Sequence, residues 1–77
     1  MILGIVWGPQ ALAALYRMHW QTGAAIDAAV IQFAASVPER PGRKLSRYRL
    51  HVAGHDAVLV ADREAEVVRI VGLYRVR

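Results

Sequence analysis

The chain contains no cysteine, which excludes disulfide bonds, thiolate metal ligands and a cysteine nucleophile. A reducing compartment fits this composition, and we expect a cytoplasmic protein. The sequence also has no apolar run near the roughly 20 residues that a membrane-spanning helix needs. The apolar segment 1–7 has no basic leader and stops at Gly8 and Pro9, so it predicts a strand rather than a signal peptide.

Several catalytic and cofactor patterns are missing as well. There is no glycine-rich phosphate loop, no Ser-His-Asp arrangement and no pair of carboxylates suited to acid–base work. The histidines are His19, His51 and His55, and no predicted helix carries two of them, or one with a glutamate, at metal-ligand spacing. We therefore predict neither a cofactor nor a metal site.

Acidic residues are scarce in the middle of the chain, where basic residues cluster. The net charge is +4, and nine of the ten Lys and Arg residues lie from Arg40 onward. Such a patch attracts a polyanion by counterion release and steering, and it would equally attract an acidic protein segment. A solvated loop that keeps a hydrophobic chain soluble is the third interpretation. Five of the basic residues fall within ten positions that contain no acid: Arg40, Arg43, Lys44, Arg47 and Arg49.

The length predicts one domain, residues 1–77. A chain of 77 residues buries only roughly 60% of its unfolded surface, so its stability is expected to be marginal unless a partner contributes. The hydrophobic share of 56% exceeds the ordinary range of about 45–50%. Excess apolar surface on so small a domain favours a buried interface with another protein.

The first half of the chain predicts a strand and two short helices. Residues 2–7 are rich in β-branched and aromatic side chains, and Pro9 suits the first turn of a helix that continues to about residue 20. Thr22 and Gly23 interrupt the helical periodicity, which resumes over residues 24–37. The expected apolar faces are Leu12, Leu15, Tyr16 and His19 in the first helix and Ile26, Val30, Phe33 and Val37 in the second.

The second half predicts three strands joined by two turns. Residues 48–52 alternate apolar and polar side chains, residues 57–61 are apolar on both parities as in a central strand, and residues 67–71 form the third strand. Gly54 suits the turn between the first two. These elements predict an α+β fold in the order β-α-α-β-β-β, with a small, mostly antiparallel twisted sheet and a helical hairpin packed on one face.

The alternation of the last strand extends beyond Gly72 toward residue 76. Arg69, Arg75 and Arg77 share one parity, so a continuous strand would present a basic face. Tyr74 has the other parity, which it shares with valines and an isoleucine, and this predicts a ring packed in the core. We expect this basic face to be the functional surface of the protein.

The order of elements and four short motifs resemble the RelE/ParE superfamily of toxins from bacterial type II toxin–antitoxin modules. Residues 5–12 look like that family's first strand running into its first helix, with a tryptophan, a small residue, a proline and then Ala-Leu. Residues 48–54 are similar to its second strand and glycine turn. Residues 58–60 and 67–71 look like the two strands that follow, so the likeness covers nearly the whole chain.

The resemblance implies a toxin that a cognate antitoxin protein wraps and holds inactive in a hetero-oligomer. One branch of the family cleaves mRNA on the ribosome without a metal, using basic side chains and often a C-terminal tyrosine or histidine. Another branch poisons DNA gyrase without nuclease residues. We expect the first activity, a ribosome-dependent mRNA endoribonuclease that arrests growth. The alternatives are a gyrase inhibitor and a degenerate protein that only binds an acidic, antitoxin-like helix.

The resemblance also implies where the site lies. The expected catalytic residues are Arg49, His55, Tyr74 and Arg75, with a histidine to exchange protons and a tyrosine ring to stack on a base. His51 is a further candidate acid or base, although both strand histidines are equally compatible with ordinary polar surface. The expected nucleic-acid contacts are Arg43, Lys44, Arg47, Arg69 and Arg77.

The sequence departs from the family at one informative position. The family commonly carries an arginine shortly after the glycine turn, and the corresponding residue here is Ala57. The chain is also shorter than usual in the helical hairpin and at the C-terminus. Loss of the arginine favours a gyrase inhibitor or a degenerate toxin, whereas the basic strand face favours RNA.

Overall fold

Two helices and four strands make up the fold of residues 3–39 and 42–76, which the computed structural model describes. This architecture confirms the predicted α+β fold in the order β-α-α-β-β-β. The predicted start of the first strand, residue 2, lies outside the described residues. The elements are β1 (Gly4–Trp7), α1 (Pro9–Arg17), α2 (Trp20–Ala35), β2 (Leu45–Val52), β3 (His55–Asp62) and β4 (Val67–Arg75).

The strands form one sheet in the order β1-β4-β3-β2. β3 pairs antiparallel with both β2 and β4, and β1 runs parallel to β4. The sheet is therefore mostly antiparallel, as predicted. β3 lies inside it, in agreement with the apolar residues on both parities of that strand. Neither described helix combines the length and apolar character that crossing a bilayer requires.

Both helices pack on one face of the sheet and share a single apolar cluster with it. Ile26 and Val30 of α2 follow the predicted helical spacing and are fully buried. Leu59 on β3 and Ile70 on β4 are register partners and are also fully buried. Because strand side chains alternate between the two faces, the residues next to these two point away from the helices.

The opposite face of the sheet, here called the open face, has no described helix packed on it. It combines valines with charged side chains, and Val6 at its edge is exposed. Such a face is available to a ligand or a partner. The register assigns to it these side chains: Val6 on β1; Leu45, Arg47, Arg49 and His51 on β2; Asp56, Val58, Val60 and Asp62 on β3; and Val67, Arg69 and Tyr74 on β4.

The break between the helices lies at Met18 and His19, so the predicted break at Thr22 and Gly23 is wrong. Met18 has an extended backbone, and His19 caps α2 by accepting a hydrogen bond from the Gln21 N–H at Nδ1, over 3.2 Å. Once this cap starts the helix, the weak helix propensity of a Thr-Gly pair is tolerated inside it.

The earlier break changes which residues of the first helical segment are buried. Leu15 is half-buried and packs against the core, and Leu12 is half-buried. Tyr16 is exposed, and His19 has left the helix. The predicted apolar face is therefore confirmed for Leu15 and wrong for Tyr16 and His19. The outcome places an exposed aromatic and a histidine at the corner between the helices.

A β-bulge changes the register of β4. Ile70 pairs with Leu59, but Gly72 pairs with Val58, so Val71 is an extra residue on this strand. A single extra residue moves every later side chain to the opposite face of the sheet. The parity that the sequence shows before the bulge therefore does not hold after it.

The bulge corrects two predictions about the end of the chain. Arg69 lies on the open face, but Arg75 pairs with His55 on the helix side, so these arginines do not form one basic face. Tyr74 lies on the open face and is 54% exposed, so the predicted core-packed ring is wrong. Arg77 lies outside the described residues.

Asp62, at the end of β3, holds the turn to β4 through both carboxylate oxygens. Oδ2 accepts a hydrogen bond from Arg69 Nη1 at 2.7 Å, and Oδ1 accepts one from the Ala65 N–H at 3.0 Å. The hydrogen bond from Arg69, and after it the one from Ala65, lowers the pKa of Asp62 from its ordinary value of 3.8. The ionised Asp62 carboxylate therefore stabilises the folded state above pH 3.8, and this contribution is lost as the pH falls through the lowered pKa.

We expect Asp62→Asn to lower the melting temperature at pH 7 and to have little effect at the acidic end of the titration. The reason is that the wild-type carboxylate becomes protonated there and loses its charge-assisted bond to Arg69. Melting followed by circular dichroism from pH 7 to pH 2 checks this expectation. Glu64→Gln removes an exposed carboxylate from the same turn and is the control. A constant difference between Asp62→Asn and wild type at every pH would contradict the assignment.

Candidate nucleic-acid interface

A charged cluster lies on the open face at the end of the sheet that carries the turn between β2 and β3. His51 and Asp56 are cross-strand partners, and His51 Nδ1 lies 2.9 Å from Asp56 Oδ1. Arg49 Nη1 lies 3.9 Å from the other carboxylate oxygen. The histidine and arginine side chains are largely exposed, whereas the carboxylate is mostly covered. The cluster thus presents two basic groups to solvent above an acid that orients them.

The turn itself explains why these residues meet. Ala53 and Gly54 both have positive φ, 51° and 74°, as in the two-residue turns that match the twist of a hairpin. A two-residue turn makes residues at equal distances on either side cross-strand partners. His51 precedes the turn by two residues and Asp56 follows it by two, so they stand side by side on one face.

The hydrogen bond to Asp56 has a chemical consequence for His51. A carboxylate accepts a hydrogen bond, so neutral His51 carries its proton on Nδ1, and Nε2 keeps its lone pair. A histidine held in this way can take a proton from a ligand at Nε2. The guanidinium of Arg49 adds a fixed positive charge nearby, suited to a phosphate group.

Tyr74 lies on the same face, as the register partner of Asp56 on β4. Its ring covers Gly72: a Cβ atom at that glycine would lie 2.5 Å from the ring carbon Cε2. The ring can therefore lie across the strand only because Gly72 has no side chain. A half-exposed aromatic ring on the same face as Arg49 and His51, with β3 between them, is suited to stacking on a nucleobase.

Arg47, Arg49 and His51 form a row on the open side of β2, an edge strand. Alternate residues of a strand stand about 7 Å apart, so the row presents basic groups at regular intervals. Arg47 and Arg49 are exposed, as an interface with a polyanion requires. This row is the part of the predicted basic patch that shares a face with the charged cluster.

Three other predicted nucleic-acid contacts within the described residues do not join this cluster. Arg43 and Lys44 are exposed beyond the start of β2, at the opposite end of the sheet, and Lys44 Nζ lies 3.9 Å from Glu64. Arg69 faces the open side but is engaged by Asp62. These three residues are therefore distant from the charged cluster or already paired.

The four predicted catalytic residues are divided between two sides of the sheet. Arg49 and Tyr74 belong to the open face, whereas His55 and Arg75 are register partners on the helix side. His55 Nδ1 lies 3.0 Å from the carbonyl oxygen of Ala53. On the helix side, His55 and Arg75 line a cleft of about 470 Å³ between the turn and the helix corner. Its other lining residues are Met18, His19, Thr22, Ala53, Gly54 and Val76.

Ala57, where the family resemblance implies an arginine, is a core position. Its side chain is buried, and its register partners are Leu50 and Leu73. An arginine at this position would have to be buried among apolar residues. The open-face residue just after the turn is Asp56, which pairs with His51.

Asp56 is the site residue that the sequence analysis missed. The signal was present, because a two-residue turn at Ala53 and Gly54 predicts that His51 and Asp56 are opposite each other. A turn over residues 53–56, as the sequence pattern predicts, leaves Asp56 without a partner on β2, whereas the observed turn is only two residues long. Among the described residues, no three His, Asp or Glu side chains come together as metal ligands would.

Comparison with known proteins adds no relative from which a function can be transferred. No protein family, curated protein or solved structure that was compared with this chain matches it. The resemblance to RelE/ParE toxins stays a prediction, and the geometry of the site carries the functional argument.

Proposed function

We propose that this chain is a toxin of the RelE/ParE type that cleaves mRNA on the ribosome in the cytoplasm. The observation that carries the proposal is the His51–Asp56 pair on the open face, with Arg49 beside it and Tyr74 on the adjacent strand. An oriented base and a cation can serve metal-independent RNA cleavage, and a stacking ring can hold an unpaired base beside them.

The reaction assigns a role to each of these residues. His51 Nε2 takes the proton of a ribose 2′-hydroxyl, and the 2′-oxygen forms a bond to the adjacent phosphorus. The bond from phosphorus to the 5′-oxygen breaks, and that oxygen takes a proton from solvent. The products are a 2′,3′-cyclic phosphate and a 5′-hydroxyl. Arg49 balances the negative charge that develops on the phosphate.

The same face supplies binding contacts for the substrate. Tyr74 stacks on a base next to the cleaved bond, and Arg47 holds a phosphate farther along the strand. These contacts position RNA without reading its sequence. On the ribosome, the mRNA is presented as a single strand whose bases are free to stack.

The antitoxin partner belongs to this proposal as well. The open face carries several valines beside its charges, and an exposed sheet face of this kind suits an amphipathic segment with acidic residues. Such a segment would cover His51 and Arg49 and would block the reaction. The apolar excess of the composition agrees with a surface that is buried in a complex.

Induction of the chain in a bacterial host tests the activity directly. We expect new mRNA 5′ ends inside translated codons within minutes of induction and none after induction of His51→Gln, because the base is lost. Glu64→Gln, an exposed change in the turn before β4, is the control and should cleave as wild type does. Intact messages after normal wild-type expression would contradict the proposal.

Inhibition of DNA gyrase is the second candidate, because the position where the resemblance implies an arginine is Ala57, and its side chain is buried in the core. Plasmid topology measured in the same induced cells distinguishes the two. Linear or relaxed plasmid together with intact mRNA would support gyrase inhibition. In that case Arg49 and His51 would be binding residues only.

A further inference from the structure

Two large aromatic side chains are exposed at the corner where α1 ends and α2 begins. Tyr16 is 78% exposed and Trp20 is 73% exposed, more than any other large hydrophobic residue in the described part of the chain. Neither contributes to the core that holds the helices on the sheet. An indole that is left mostly in water and takes no part in the core points to a contact outside the chain.

The indole of Trp20 is held in a defined orientation. The imidazole of His19 stacks on it, with ring centroids 5.9 Å apart and an interplanar angle of 28°. His19 is itself fixed, because its Nδ1 accepts the hydrogen bond that caps α2. The result is a supported flat ring with most of its surface free, which is the geometry of a stacking platform for a nucleobase.

His19, the stacking partner of Trp20, lines a depression that also carries an arginine. His19 and Arg75 line the cleft described above, and Arg17 and Arg75 line an adjoining hollow of about 290 Å³. No acidic side chain of the described residues lines either one. Cations in a cleft that reaches the stacking partner of an exposed ring offer groups for the two parts of a nucleotide, a phosphate and a base.

We propose that this corner binds single-stranded RNA, with one base stacked on Trp20 and a phosphate held by Arg75 and Arg17. The inference rests on the proposed function and extends it to a second contact on the same substrate. The cleft and the His51–Asp56 pair flank the same turn, at residues 53 and 54, from opposite sides of the sheet. A strand that leaves the reacting site around this turn reaches the corner.

The charge and the shape of the corner favour RNA over a protein ligand. Protein interfaces have a contiguous apolar centre, depleted of charge. Here Arg17 follows Tyr16 in the chain, His19 precedes Trp20, and Arg75 lines the cleft together with His19. An acidic peptide is the competing ligand, and it differs from RNA in having no base to stack.

Fluorescence of Trp20 provides the test. In a Trp7→Phe background Trp20 is the sole tryptophan, and the probe is a ten-nucleotide 2′-O-methyl uridine oligomer, which lacks the hydroxyl needed for cleavage. We expect the oligomer to quench Trp20, and Trp20→Ala to bind a labelled copy about 5- to 150-fold more weakly, as loss of one stacked base implies. Trp20→Phe should restore most of the affinity. Arg75→Gln should reduce the salt slope of binding by about 1.

Anisotropy of the labelled oligomer with the unmodified chain controls for any effect of Trp7→Phe on folding. Equal affinity of Trp20→Ala and wild type, without quenching, would overturn the inference. Equal quenching by a ten-residue polyglutamate would overturn it as well, because the contact would then not require a base. Quenching by the oligomer without mRNA cleavage in cells would leave this site standing and reject the nuclease. If the wild type cleaves mRNA in cells and Trp20→Ala binds the oligomer as tightly as wild type, the nuclease stands and this second site is rejected.

Discussion

Replacing His51 with glutamine is expected to lower the rate of RNA cleavage by about 100- to 10,000-fold, the usual contribution of a positioned general base. Glutamine keeps a polar side chain of similar reach but cannot take a proton from the 2′-hydroxyl. The fold should be unaffected, because the His51 side chain is largely exposed. Single-turnover cleavage of a short mRNA on programmed ribosomes gives the rate, and thermal melting checks the fold.

Two further variants make the assignment of His51 specific. Imidazole added to His51→Ala should restore part of the rate, because it can replace the missing base, and it should not accelerate the wild type. His55→Gln separates the two histidines of the hairpin. If His55→Gln abolished cleavage and His51→Gln did not, the base would be the histidine in the cleft, and the open face would be a binding surface only.

Replacing Leu59 with alanine is expected to cost about 2–5 kcal/mol of unfolding free energy, as other buried leucine-to-alanine changes do. Leu59 is 0% exposed on an inner strand, with Tyr48 and Ile70 as its register partners on either side. At about 0.05–0.15 kcal/mol per residue, a domain of this size has only about 4–12 kcal/mol in total. The loss is therefore a large part of the stability, and the variant should be substantially unfolded at 37 °C.

Urea denaturation followed by circular dichroism measures this effect. Leu45→Ala is the matched control, because it removes the same atoms from a residue that is 58% exposed at the start of β2. Its effect should stay within about 0.5 kcal/mol. Similar losses for the two variants would mean that Leu59 is not at the centre of the core.

Much of the fold follows from local patterns that need no tertiary information. The alternation in β2, the double-sided apolar run in β3 and the stripe of Ile26 and Val30 in α2 each predict the observed burial. These patterns succeed because the period of a strand or a helix decides which side chains share a face. The break between the helices is predicted at the wrong residues, because a side-chain cap such as His19 does not alter the hydrophobic periodicity of the sequence.

The candidate site depended on information of a different kind. The sequence alone determined the fold class, the order of elements and the concentration of basic residues from Arg40 onward. Only the tertiary structure decided which of those residues meet. The two-residue turn brings His51 to Asp56, and the bulge at Val71 sends Tyr74 and Arg75 to opposite faces. A shift of one residue reverses the facing of a strand without changing its composition, so the pairing with the neighbouring strand has to be known first.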